Sequence, residues 1–215
     1  VLKPSEKSPL TALRIAELPG GRLQGAFLTP TSGAAAGQRL MITGVLDDLV
    51  MVGFGGLNIY DVSNAEHPTV LVEGFGDETV PGQGKKAANE IHSIFAWDAG
   101  DKAYAVIVDN EEGPDVDIVD ISNPKKPAVI AEYDLDQTFP QILQAAPANL
   151  VEVFFHDVVV KEIAGRQVML LSYWDAGYVA IDGTDPLNPT YIGDTDFTNP
   201  DPEAAESGFI VKPEG

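Results

Sequence analysis

Three copies of one short unit recur along the chain, and no other feature of the sequence restricts the fold as strongly. The copies are Ile59-Tyr60-Asp61-Val62-Ser63-Asn64, Ile118-Val119-Asp120-Ile121-Ser122-Asn123 and Ala180-Ile181-Asp182-Gly183-Thr184-Asp185. In each, a proline (Pro68, Pro127, Pro189) follows the aspartate by seven residues. An apolar run then begins: Thr69–Val72, Ala128–Ala131 and Thr190–Ile192. The aspartates are 59 and 62 residues apart.

The chemistry of the unit explains its composition. The residues before each aspartate are β-branched or aromatic and suit a strand. The Asp, Ser/Thr and Asn/Asp side chains accept hydrogen bonds from nearby backbone amides and close a turn. Pro124 and Pro186, with Pro68, Pro127 and Pro189, fix φ and stop the strand from running on. Asp61, Asp120 and Asp182 are therefore expected to form turns rather than to act in catalysis.

Two further strands precede each turn. In the second unit they are Ile91–Trp97 and Ala103–Val108, joined by Asp98-Ala99-Gly100-Asp101. In the third they are Val153–Ile163 and Gln167–Tyr173, joined by Ala164-Gly165. In the first they are Leu40–Val45 and Leu49–Gly53. Four antiparallel strands per repeat make a β-propeller blade, so the fold class is all-β. The expected organisation is a leading segment, 1–36, then a repeat region, 37–215, with blades at 37–76, 88–136 and 151–197 and a C-terminal tail. A blade commonly takes about 40–50 residues. The longer period here is assigned to insertions at 74–90 and 135–150, the second with a short helix at 141–146, on a face expected to bind a partner.

Asp115–Tyr133, DVDIVDISNPKKPAVIAEY, resembles the LVIVD-repeat family of bacterial and archaeal surface or secreted proteins. GGLNIYDVSNAEHPTVL and AGYVAIDGTDPLNPTYIGD are similar to it as well, although Ala180 and Gly183 stand where bulkier residues are usual. The resemblance implies a propeller fold and a secreted or cell-surface location. Three blades do not close a ring, which takes about four or more. The expectation is therefore a partial propeller, completed by further blades of the same or another chain; the final residues, Phe209–Gly215, read as a strand cut in mid-course.

Composition narrows the partners. Thirteen Lys and Arg against 33 Asp and Glu give a net charge of −20. Such a chain is repelled by nucleic acid and by anionic membranes. No apolar run approaches the ~18 residues of a membrane-spanning helix. The first residues, VLKPSEKSPL, lack an apolar signal core and read as a mature N-terminus. With no cysteine, thiolate metal sites and cysteine nucleophiles are excluded.

Two constellations carry candidate chemistry. His92 and His156 open the first strand of successive blades, where equivalent positions converge on a propeller channel. With Glu90 and Asp157 they are candidate ligands for a transition metal. The run Asp109-Asn110-Glu111-Glu112-Gly113-Pro114-Asp115-Val116-Asp117 sets hard oxygens around a glycine. Its Asp109, Glu111, Glu112, Asp115 and Asp117 are candidate calcium ligands, without the spacing of an EF-hand. Asp194-Thr195-Asp196, with Asn199 and Asp201, is a weaker acidic turn, and His67 lies in a turn with no assigned role. Trp97 and Trp174 end strands at comparable places and are expected to pack in the core or between blades; the alternative is an aromatic platform for a sugar ring. No G-x-S-x-G, H-E-x-x-H or P-loop is present, and Gly53-Phe54-Gly55-Gly56 links two strands. The functional expectation is a surface or secreted binding or scaffold propeller with a protein or glycan partner and calcium as a stabiliser. The alternative is a metal-dependent oxidoreductase or hydrolase using His92 and His156.

Overall fold

A computed structural model describes residues 22–31, 33–34, 36–46, 56–64, 66–76, 91–110, 113, 115–143, 153–174 and 176–195. It is all-β, with three four-stranded antiparallel sheets whose strands pair in chain order. Blade 1 comprises β1 (Arg22–Leu28), β2 (Leu40–Leu46), β3 (Gly56–Asp61) and β4 (Thr69–Phe75). Blade 2 comprises β5 (Ile91–Asp98), β6 (Ala103–Asp109), β7 (Asp115–Asp120) and β8 (Ala128–Asp134). Blade 3 comprises β9 (Phe155–Ile163), β10 (Arg166–Tyr173), β11 (Gly177–Asp182) and β12 (Thr190–Asp194). The blades meet through their first strands, β1 against β5 and β5 against β9, the arrangement of a propeller in which first strands lie innermost. The described residues thus form a partial propeller.

Blade 1 differs from the reading by spacing. Leu40–Leu46 is its second strand, not its first, because Arg22–Leu28 pairs along the edge of it that faces away from β3, from Arg22↔Leu46 to Leu28↔Leu40. The first sheet therefore begins upstream of residue 37. Leu49–Gly53 lies outside the described residues, as does 144–150, so the helix expected at 141–146 is not seen as such. A single helical turn, α1 (Leu135–Thr138), and a 3-10 turn (Pro140–Leu143) come earlier. Leu135, Phe139 and Ile142 are buried in the core between blades 2 and 3. This part of the insertion fills a seam between blades 2 and 3.

The repeated unit acts as a staple, with the same bonds in every blade. The aspartate accepts the amide two residues on: Ser63 N to Asp61 Oδ1 at 2.9 Å, Ser122 N to Asp120 Oδ1 at 2.8 Å and Thr184 N to Asp182 Oδ1 at 3.0 Å. The Ser or Thr hydroxyl then accepts the amide of the residue at the mouth of the second strand: Arg39 N at 3.1 Å, Ala103 N at 3.1 Å and Gln167 N at 2.9 Å. The carbonyls of those three residues accept in return from Val62, Ile121 and Gly183. The Asn or Asp after the hydroxyl caps a second turn, taking the amides of Glu66, Lys125 and Leu187. These polar side chains are spent on backbone groups that the end of a sheet would otherwise leave unpaired.

Side chains alternate across each sheet and build two apolar seams. Leu40, Ile42, Leu57 and Ile59 of blade 1 pack with Ile94, Ala105, Ile107 and Val119 of blade 2. Val106, Val116 and Ile118 of blade 2 pack with Val158, Met169, Leu171 and Ile181 of blade 3. The third copy's departure from the pattern follows from this packing. A Cβ on Gly183 would stand 2.4 Å from Met169 Cε. In blade 2 the equivalent pair is Ile121 with Ala105, so bulk has moved from one strand to its neighbour.

The hairpin from β9 to β10 turns through Ala164 and Gly165 at φ 52° and 77°. Both residues at positive φ make the two-residue turn whose twist matches antiparallel strands. Ala164 bears a left-handed conformation there, which an alanine adopts at a cost.

Ser122→Ala should destabilise the fold by about 1–3 kcal/mol, because the buried Ala103 amide loses its acceptor. Asp120→Asn keeps an amide-accepting oxygen and should cost about 1 kcal/mol or less. Urea unfolding of the two variants checks the ranking; equal losses would show that the hydroxyl is not the closing element. Ala164→Gly should stabilise by about 0.5–1 kcal/mol in the same assay.

Candidate functional site

The first candidate site is seen in part. His92 lies on β5, but its side chain, like all of Glu90, is outside the described residues. His156 is half-buried, and its ring centre lies 5.9 Å from that of Trp174. Asp157 is exposed and engaged: the buried Ser93 hydroxyl donates to its Oδ1 at 2.6 Å. That bond ties β5 of blade 2 to β9 of blade 3, giving Asp157 a role in joining blades.

The acidic run is divided by the strands. Asp109 is the last residue of β6, and Asp115 and Asp117 belong to β7, so the connecting loop is 110–114 and not the whole of 109–117. Asp109 and Asp117 are buried, and Glu111 and Glu112 lie outside the described residues. Asp115 is drawn toward other carboxyls: it stands opposite Asp134 in the β7–β8 register. Burial and the Asp134 charge raise its carboxyl above the usual range. Among the described residues, no three His, Asp or Glu side chains converge in an arrangement that would hold a metal ion. His67 is exposed, and Asp194 ends β12; Asp196, Asn199 and Asp201 lie outside the described residues.

The sequence reading missed an acidic trio built by Asp115, Asp134 and Asp136 where β7, β8 and α1 meet. Asp134 caps α1, accepting the Gln137 amide at 3.3 Å. Burial pulls the Asp134 carboxyl upward, but hydrogen bonds from Asp136 and Gln137 outweigh it and hold it low. Its neighbour moves the other way. The hydrogen bond to Asp134, then burial and the charges of Asp134 and Asp115, push Asp136 from 3.8 up to about 6. Beneath the trio, burial raises the Tyr173 hydroxyl far above its usual range, and burial with the Asp117 charge raises Tyr133. The signal was present in the spacing of Asp134 and Asp136, but the approach of Asp115 depends on strand register.

The two tryptophans do not occupy comparable places. Trp97 is 5% exposed inside the core between blades 2 and 3, against Tyr104 at 5.4 Å. It is a packing residue and cannot face a ligand. Trp174, just beyond β10, is 44% exposed. Its ring centre lies 5.0 Å from that of Phe154, and its amide donates to the Phe154 carbonyl at 3.0 Å. Phe154, His156 and Trp174 thus make one surface cluster at an end of blade 3.

Fold and turn chemistry together define a repeat protein built of propeller blades. Residues 100–135, the greater part of blade 2, match the family model of the LVIVD repeat, so the chain carries an LVIVD repeat. No curated protein matches the chain. A solved structure from Bifidobacterium bifidum s17, named for a proposed exo-beta-1,3-galactanase, aligns with a TM-score of 0.47 and 12% identity. The alignment covers 83% of this chain, which spans 60% of that structure's chain. Among the described residues, no helix is long and apolar enough to cross a membrane.

The shifted carboxyls give the fold a pH signature. Asp136 is raised in the folded state, so its favourable contribution is complete below about pH 4 and is lost as pH rises through about 6. Asp136→Asn should therefore stabilise at pH 8, by roughly 0.5–1 kcal/mol given the side chain's solvent screening. The gain should shrink toward zero at pH 4. Urea unfolding at the two pH values checks this; a gain that does not change with pH would contradict the repulsion among the trio.

Proposed function

We propose that this chain is a binding module of the cell surface or secretome, built of propeller blades, whose ligand docks on the Phe154–His156–Trp174 cluster. The observation that carries the reading is the exposure of Trp174 beside two other aromatic rings, where Trp97, the other tryptophan, is buried. A large indole face in water offers apolar contact area that the fold itself does not use. Such a surface suits the flat face of a sugar ring, with the imidazole of His156 as a polar neighbour. The net charge of −20 and the repeat's resemblance to surface and secreted proteins support the location.

The staple chemistry fits a scaffold role. Asp61, Asp120 and Asp182, the most regular carboxylates in the chain, hold turns together. In blades 2 and 3 their second oxygens meet cations, Lys102 at 2.8 Å and Arg166 at 3.8 Å.

Titration with neutral soluble oligosaccharides, read by tryptophan fluorescence, tests the reading. Emission from Trp174 should shift on binding, and Trp174→Ala should weaken binding by about tenfold or more without altering the folded far-ultraviolet spectrum. An unchanged emission across the oligosaccharide series would remove the glycan ligand.

A further inference from the structure

The staple of blade 3 differs from the other two in the residue that follows its aspartate. Val62 follows Asp61 and Ile121 follows Asp120, but Gly183 follows Asp182. Asp182-Gly183 is the one Asp-Gly pair in the sequence, and no Asn-Gly pair occurs. Packing puts the glycine there, because a Cβ on it would collide with Met169 Cε.

That exchange of bulk leaves a reactive pair of groups side by side. A glycine has no Cβ to shield its nitrogen, and its backbone turns freely toward the preceding side chain. The Gly183 nitrogen can then attack Asp182 Cγ. An N–Cγ bond forms and closes a succinimide ring, the bond from Cγ to the carboxyl hydroxyl breaks, and that hydroxyl leaves with the amide proton as water. Water next opens the ring at either carbonyl. Addition at Cγ, breaking the new N–Cγ bond, restores the aspartate. Addition at the main-chain carbonyl carbon, breaking its bond to the Gly183 nitrogen, leaves the chain running through Cγ as isoaspartate. One water is lost and one is gained, so solvent is the only co-reactant.

The closed staple withholds both groups from this reaction. The Gly183 amide donates to the Gln167 carbonyl at 2.8 Å, which fixes the plane of the attacking nitrogen. Asp182 Oδ1 accepts the Thr184 amide at 3.0 Å and the Thr184 hydroxyl at 2.6 Å. Those two bonds, with the charge of Arg166 behind them, hold the carboxyl below its usual range and hence ionised. An ionised carboxylate is a poor target, because it has no hydroxyl to lose. The turn itself is at the surface, with Thr184 and Asp185 exposed, and such strand ends open without unfolding the whole domain.

We propose that Asp182-Gly183 is a self-modification site, converted to isoaspartate when the blade 3 staple opens, and that the conversion keeps the staple open. Isoaspartate adds a backbone carbon between the two residues. The Gly183 amide and the Thr184 hydroxyl then no longer reach the Gln167 carbonyl and amide together. Openings of the other two staples stay reversible, because the β-branched Val62 and Ile121 crowd their own nitrogens.

The folded protein is aged at neutral pH, and isoaspartate is located by methyltransferase labelling and peptide mapping. It should appear in the peptide that holds Asp182, slowly in the parent and about tenfold faster in Thr184→Ala, with Thr184→Ser close to the parent. In denaturing urea the parent and Thr184→Ala should convert at one rate. The pair Met169→Ala with Gly183→Ile, which copies the packing of blade 2, should convert far more slowly there. Graded urea on the parent gives a reading that needs no variant to fold: conversion should rise before the global transition. Equal rates for folded parent and Thr184→Ala, or a rate that stays flat until global unfolding, would overturn the staple's control. Isoaspartate that arises in urea at other aspartates and not at Asp182 would overturn the site.

Discussion

The structure depends on one bond repeated three times, the hydroxyl of Ser63, Ser122 or Thr184 accepting the amide at the mouth of the second strand. A propeller blade is a short, strongly twisted sheet whose corners expose backbone groups. Each staple ties the end of a blade's third strand to the start of its second and caps both with side-chain oxygens. The aspartate two residues earlier holds the hydroxyl in position by accepting the amide of the same residue. The turn is thereby fixed before any long-range contact is needed, and the strands leave it in the correct register for the seams.

Register decides the rest. Once Ala103 and Gln167 are placed, alternation directs Val106 and Ile118 into one seam and Ala105 and Val119 into the other. Bulk can then be traded between neighbouring strands, as Ile121 with Ala105 becomes Gly183 with Met169. The blades are also joined by polar bonds. Ser93 to Asp157 links the inner strands of blades 2 and 3. Thr31, in the segment after β1, donates its amide and hydroxyl to Asp98 at 2.8 and 2.7 Å. Burial alone would raise the Asp98 carboxyl, but the Thr31 and Gly100 hydrogen bonds overcome it and hold it below its usual range.

What the sequence made legible was local. The staple, its prolines and the β5–β6 and β9–β10 hairpins follow from residue type and short spacing, and the structure contains them. The resemblance carried by Asp115–Tyr133 led to the repeat that the family model matches at residues 100–135. What stayed hidden depends on pairing between strands. Leu23–Leu28 has the apolar residues of a strand, but nothing in them says that the strand pairs with Leu40–Leu46 to complete blade 1. Asp115 and Asp117 read as loop carboxylates because acidic residues are poor strand formers, yet β7 runs through both. Trp97 and Trp174 look alike in sequence, but one points into a seam and the other stands past the end of its strand. Of the metal candidates, Asp157 turned out to bridge blades and Asp115 to approach Asp134, arrangements that no spacing argument contains.

The central claim, that the staples rather than strand propensity set the blades, is tested most directly by native-state hydrogen exchange at the amides of Arg39, Ala103 and Gln167. These amides sit at strand mouths, where fraying would normally let them exchange early. If the staples govern, all three should exchange as slowly as the central amides of β6 and β10, such as those of Val106 and Leu171. Exchange at the rate of an open turn, with the strand centres still protected, would contradict the account.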